Sequence, residues 1–232
     1  MIETLERFTD PLVWRILRQG IWVTLQLTFF SVLLGTAMSI IGGLAGMSPF
    51  WIVRAIRQVY VDIFRGTSAI VQLFWIFYAL PILLDVSLSP MLAGVVTLGL
   101  NMGAYGSEIV RGAVRAVDRG QTEAAIALNL SSYDRMRYVI FPQAVVAMLP
   151  PYGNLLIELL KATALVSLIA LSDIVWRAQQ LRTAGATDTL TIFTLVLLIY
   201  FAIALGITGL VRLAERTVSR GLEVGSGARG AR

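Results

Sequence analysis

Apolar residues in this chain do not alternate with polar ones; they run. Ile21 to Leu44 and Leu190 to Val211 hold no charged residue, and neither do Gly66 to Leu84 and Val86 to Ser107, which are parted only by Asp85. The remaining run, fourth in chain order, from about Val139 to Leu171, is charged only at Glu158 and Lys161. A helix needs about twenty mostly apolar residues to cross a bilayer, so the pattern predicts five transmembrane helices in an all-α polytopic bundle. One stretch breaks the pattern. "GQTEAAIALNLSSYDRMRYVIFPQ", Gly120 to Gln143, lies between the third and fourth runs and carries Glu123, Asp134, Arg135 and Arg137.

Composition supports a membrane protein: 57% of residues are hydrophobic and 14% charged, against about 25% charged in soluble domains. The net charge of +5 comes from arginines placed between apolar runs. They form no basic stripe interleaved with aromatics, so no nucleic-acid partner is expected. Thirteen arginines, among them Arg54, Arg111, Arg135 and Arg212, fall on the side of the C-terminus, and five fall on the other. The bias predicts a cytoplasmic C-terminus, an outer N-terminus and a cytoplasmic Gly120–Gln143 segment. The chain then divides into an N-terminal periplasmic segment (1–20), a membrane domain (21–216) with a cytoplasmic loop at about 112–138, and a disordered cytoplasmic tail (217–232). The first twenty residues lack a secretory cleavage pattern, so the first span is expected to act as its own insertion signal.

There is no Cys and no His, which removes thiolate nucleophiles, Ser-His-Asp triads and the usual zinc sites. No catalytic residue, metal site or cofactor is expected in this chain. Small residues recur in "LLGTAMSIIGGLAG" and "AGVVTLGLNMGAYGS", where they allow transmembrane helices to approach closely. Pro142, Pro150 and Pro151 are expected to kink or interrupt the fourth span.

In the polar stretch, Ala124, Ala125, Ala127 and Leu128 favour helix and Glu123 suits its N-terminal dipole, while Ser131 or Ser132 caps a second turn. Such a helix could lie on lipid headgroups. A chain already held by five spans needs no further anchor, so docking to a cytoplasmic partner is the better reading.

"EAAIALN" followed by "VIFP" resembles the EAA loop of ABC importer permeases, with Gly120, Glu123, Ala124, Ala125, Leu128, Asn129 and Pro142 at its coupling positions. Asn129 stands where that family usually has Gly; Asn is the next-best residue for a left-handed turn. "FRGTSAIVQL", "AYGSEIVRGAVRAVDRGQTEAA" and "LPPYGNLLIELLKATALVSLI" are similar, in order, to the blocks of polar amino acid permeases, from about Gly20 to Arg216. The resemblance implies a MetI-like type I permease fold. It also implies a second permease subunit (a homologue or the same chain), a dimer of ATPase subunits carrying ATP and Mg, and a periplasmic or lipid-anchored solute-binding protein. The EAA helix would couple the ATPases to the membrane helices. The chain itself lacks the G-x-x-x-x-G-K-[ST] phosphate loop and is not expected to hydrolyse ATP.

Polar groups within the spans mark candidates for the substrate pathway: Thr67, Gln72, Asn101, Tyr105, Gln143, Asn154, Glu158 and Lys161. Glu158 and Lys161, spaced i, i+3, suit either a structural ion pair or ligand contact, and Glu108 with Arg111 reads as a structural pair. The family's LKDTSL is "LKATAL" here, so Ala162 replaces an acid and Ala164 a hydroxyl. That change argues against a strongly cationic substrate. In wording the chain most resembles permeases of ectoine and hydroxyectoine importers. An ion-coupled carrier or channel is the alternative, but it would need inverted repeats or a charged pore, and neither is evident.

Overall fold

A computed structural model describes residues 11–219, which among themselves form helices and connecting turns without strands. Helix α1 spans Pro11–Ala45 and α2 Trp51–Gly66. After a break come α3 (Ala69–Phe74), a π-helical turn at Trp75–Ala79 and α4 (Leu80–Leu84). Helix α5 is Pro90–Ala116. The polar stretch contains α6 (Arg119–Ala127) and α7 (Ser132–Asp134). A second π-helical turn, Arg135–Ile140, leads into α8 (Phe141–Ala162), and a 3-10 turn covers Thr163–Ile169. Helices α9 (Ile174–Thr183) and α10 (Thr189–Ser219) complete the described chain.

All five predicted runs carry helix, but not all as single straight spans. Pro11–Ala45, Ser132–Ile169 and Thr189–Thr217 are each long and apolar enough to cross a membrane, and α2 with the following helical stretch to Leu84 forms a fourth unit bent by 107°. The second run therefore does not start a helix at Gly66. Thr67 and Ser68 are extended there, and the helix axis turns. The third run also shifts: Ser89 caps α5 by accepting from Leu92 N–H, while Asp85, in the left-handed region at φ 51°, closes α4. Helix α5 then continues to Ala116, through Glu108, Arg111 and Arg115.

The proline expectation is met at Pro142, which follows a π-helical turn, while Pro150 and Pro151 do not interrupt their helix. Helix α8 runs through both Pro150 and Pro151, and the departures from α geometry lie on either side, at the π turn before Pro142 and the 3-10 turn after Ala162. Prolines persist inside transmembrane helices when neighbouring groups and small local adjustments satisfy the freed carbonyls. The N-terminal segment is helical from Pro11, and α10 extends three residues into the segment read as tail; residues 1–10 and 220–232 lie outside the described part of the chain.

The bundle is organised around the contact of α1 with α5, and small residues explain how close they come. A Cβ added at Gly43 would sit 2.4 Å from Val110 Cγ1, and one at Gly106 would sit 2.0 Å from Ser39 Oγ. Close backbone approach gives dispersion contacts that lipid would not otherwise reward. Leu27, Leu73, Leu98, Met102, Leu155 and Val166 fill the centre. Val110, Ala113, Ile140, Ala144 and Met148 form a cluster at the end bearing α6. Val13, Leu17, Ile174, Leu181 and Ile192 seal the other end, where α1, α9 and α10 meet.

Candidate functional site: a coupling helix and an intramembrane cavity

Helix α6 is built by local signals. Asp118 caps its start by accepting from Gly120 N–H at 2.7 Å. At its end Leu130 N–H donates to Ala125 O at 3.0 Å and Asn129 N–H to Ile126 O at 2.8 Å, with Asn129 left-handed at φ 59°. This pair of bonds is a Schellman stop, with Asn129 in the position usually given to glycine. The next turn is capped by Ser131, whose Oγ accepts from Asp134 N–H at 3.1 Å and donates to Asp134 Oδ2 at 2.5 Å. The left-handed turn and the serine cap are the ones expected from residue type.

The predicted coupling residues separate by face. Glu123 and Ala124 are exposed, as are Gly120, Asn129 and Pro142, and Leu128 is 75% exposed. Ala125 is turned inward at 2%, so the outward surface consists of Glu123, Ala124, Ala127 and Leu128, with Ile126 beside it. Gln143, placed among the pathway candidates, is found here instead. It donates to Val139 O at 2.9 Å and to Gln121 Oε1 at 3.3 Å, tying α6 to the foot of α8.

Behind this end lies a charged clamp. Both Arg57 and Arg111 donate to Glu108, each to a different carboxylate oxygen, and Arg111 Nε adds a bond of 3.1 Å. Arg57 also reaches Ser107 Oγ at 3.2 Å and is only 6% exposed. The i, i+3 pair was legible in the sequence; Arg57 was missed because it lies 51 residues from its partner. Helix α2 is consequently turned with Arg57 inward, while Trp51, Ile52, Ile56 and Ile63 face out and Arg54 and Arg65, near its two ends, are exposed.

Three pathway candidates meet at the break after α2. Gln72 Nε2 donates to Phe64 O at 2.9 Å, Thr67 O at 3.1 Å and Thr67 Oγ1 at 2.8 Å. Asn101 of α5 donates to Gln72 Oε1 at 3.0 Å and to Phe64 O at 3.1 Å. Two side-chain amides thus supply the donors that the broken helix lost, satisfying carbonyls that would be costly to leave bare in a membrane.

Asn101 has a second setting. With Tyr105, Glu158, Met102, Leu155 and Ala162 it lines a cavity of about 180 Å³ between α5 and α8. The Arg65 guanidinium lies over the Tyr105 ring, 5.2 Å from its centroid. Asn154 faces a different hollow, of about 230 Å³, shared with Thr208, Arg212 and Glu215 of α10. Lys161 is exposed and outside both hollows, and no ion pair joins it to Glu158, since Glu108 holds the ion pairs found among the described residues. The structural-pair reading of Glu158 and Lys161 is not realised.

Residues 35–220 match the family described as the binding-protein-dependent transport system inner membrane component. A protein of Sinorhizobium fredii, described as a probable amino-acid ABC transporter permease, y4tF, is 48% identical over 88% of this chain and 87% of its own length. The L-cystine transport system permease TcyB of Bacillus subtilis is 35% identical over 89% of this chain and 88% of its own. Among solved structures, an amino acid ABC transporter with histidines overlays with a TM-score of 0.80 at 33% identity, covering 88% of this chain and 94% of that one. The chain belongs to the binding-protein-dependent inner membrane transport family, as an amino-acid ABC transporter permease.

Proposed function

We propose that this permease moves an amino-acid-like compatible solute, ectoine or hydroxyectoine in preference to a strongly cationic amino acid, into the cytoplasm. Its partners are a second permease subunit, a dimer of ATPase subunits that bind ATP and Mg, and a solute-binding protein. The reading places α6 and the C-terminus on the cytoplasmic side and the N-terminus outside, with Glu123, Ala124 and Leu128 seated in the ATPase. The observation that carries the substrate reading is the cavity beside Ala162. Where the family resemblance expects an acid, a methyl group lines the wall, and Glu158 is left as the single carboxylate among the lining residues. One negative charge suits a solute with one delocalised positive charge better than a side chain that adds a second. At about 180 Å³ the space lies below the roughly 300–1,000 Å³ typical of drug-sized ligands, which suits a small solute.

The test is ATPase activity of the assembled transporter in lipid nanodiscs, titrated with binding protein loaded with ectoine, then glutamine, then arginine. Stimulation by the ectoine-loaded form alone supports the reading. Stimulation by the arginine-loaded form overturns the substrate preference, and Ala162→Asp is then expected to strengthen rather than create the response.

A further inference from the structure

At the end of the bundle opposite α6, an open hollow of about 580 Å³ lies between α1 and α9, lined by Arg18, Gln19, Ile21, Trp22, Val23 and Arg177. Its polar wall is doubly cationic. Neither guanidinium has a carboxylate within ion-pair distance among the described residues, and Arg177 Nε is buried without a hydrogen-bond partner. The Arg177 guanidinium also lies 5.4 Å from the Trp176 ring centroid, a stacking contact that restrains it. A buried, unpartnered guanidinium N–H is costly unless an acceptor meets it.

The other wall is apolar and continues down the helix. Positions 18, 22, 25, 29 and 33 follow i, i+4 and i+3 steps and so share one face of α1. Trp22 is 63% exposed, and Leu25, Phe29 and Leu33 are exposed with it. At 1.5 Å per residue the stripe from Arg18 to Leu33 is about 22 Å long, enough for one leaflet of a hydrocarbon core about 30 Å thick. Tryptophan at the charged end of such a stripe sits at headgroup depth.

We propose that this hollow is a binding site for one anionic phospholipid, with its phosphate on Arg18 and Arg177 and an acyl chain along Trp22, Leu25, Phe29 and Leu33. Two guanidiniums offer forked donors matched to phosphate oxygens, and the apolar stripe distinguishes a lipid from a free phosphate ion. An acidic surface of another protein would satisfy the arginines but not the stripe.

Native mass spectrometry of the purified chain with its partner subunits, titrated with phosphatidylglycerol and with phosphatidylcholine, tests the proposal. The wild type is expected to retain phosphatidylglycerol preferentially, and the Arg18→Gln/Arg177→Gln double variant to lose about tenfold or more in that preference. Arg18→Lys/Arg177→Lys should keep part of it. Equal phosphatidylglycerol retention by wild type and double variant overturns the site. Displacement of the lipid by excess inorganic phosphate assigns a free anion instead and overturns the lipid. Unchanged lipid adducts with weakened docking of the binding protein would give the surface to that protein. If the double variant does not assemble, the single Gln variants carry the test, each with an expected loss of about fivefold.

Discussion

The segment carrying α6 and the bend after α2 are both places where a helix stops and another begins, and they draw to different degrees on distant parts of the chain. In the α6 segment the groups that end each turn lie within a few positions of the residues they serve, Asp118 for Gly120, Asn129 for the Schellman stop and Ser131 for Asp134, while the bond from Gln143 to Gln121 reaches it from α8. At the bend Gln72 supplies the near bonds, to Phe64 O, Thr67 O and Thr67 Oγ1, and distant groups complete it: Asn101 from α5 and, one helix length away, the Glu108 that holds Arg57. A segment finished by its own residues keeps its shape while presenting an open face. A segment finished by distant residues keeps its shape only while its neighbour stays in place. The first suits a docking handle and the second a joint.

Four measurements sharpen or break this contrast. The largest effect is expected from Glu123→Lys: solute-stimulated ATPase activity and uptake should be lost while the melting temperature and membrane insertion stay unchanged, because the side chain is exposed and outside the clamp. Normal coupled uptake would remove Glu123 from the docking face. Arg57→Ala comes next. Taking one partner from a buried pair costs about 3–5 kcal/mol, and because Glu108 keeps Arg111 the lower end, about 3 kcal/mol, is expected in thermal or denaturant unfolding. A change under about 0.5 kcal/mol, as at an ordinary surface position, would show that α2 is not held by this contact.

The third measurement concerns Asp173, which joins local and distant construction. Its carboxylate caps α9 through Trp176 N–H at 2.9 Å, and its neighbour Ile174 donates to Thr24 of α1 at 3.3 Å. One carboxylate oxygen is buried without a partner. Burial pushes the pKa of this group, which lies beyond the end of the fourth span, up to about 6 against hydrogen bonds that pull it down. The folded chain therefore holds this proton more tightly than the unfolded chain. The contribution is unfavourable above pH 6 and is relieved as pH falls through 6 towards the unfolded value of 3.8. Asp173→Asn keeps a capping oxygen and removes the charge; at pH 8 it should be as stable as the wild type or more so, by at most about 3 kcal/mol, with a flatter profile between pH 4 and 7. Loss of stability at pH 8 would mean that the ionised form is the one the fold needs. The smallest effect is expected from Ser131→Ala, about 1 kcal/mol of local stability. Faster hydrogen exchange confined to residues 131–135 would fit a locally finished turn, and exchange that spreads into α5 would not.

The same contrast explains what the sequence made legible. Residue type announced the left-handed turn at Asn129 and a cap at Ser131 or Ser132, of which Ser131 serves, because those preferences depend on a residue's own side chain and immediate backbone. The i, i+3 pair of Glu108 and Arg111 was visible for the same reason, and the motif order from "FRGTS" to "LKATAL" led to the family that displaced the carrier and channel readings. Gln72 and Asn101 were visible as polar groups that a bilayer must satisfy. Their residue types do not say which carbonyl they meet, so the bend itself went unread. Asn101, Tyr105 and Glu158 do converge on one cavity. Lys161, Gln143 and Asn154 do not join them, because helix spacing assigns a face without assigning the neighbour on that face. Pro150 and Pro151 leave their helix uninterrupted for a related reason: the cost of a proline is local, but its repair is tertiary.

The 107° turn after Gly66 also has a mechanical consequence. Two arms meeting near a right angle, with the joint pinned by amide hydrogen bonds, have the geometry of a bell crank: any displacement of α2 along its own axis would carry the following helix nearly sideways.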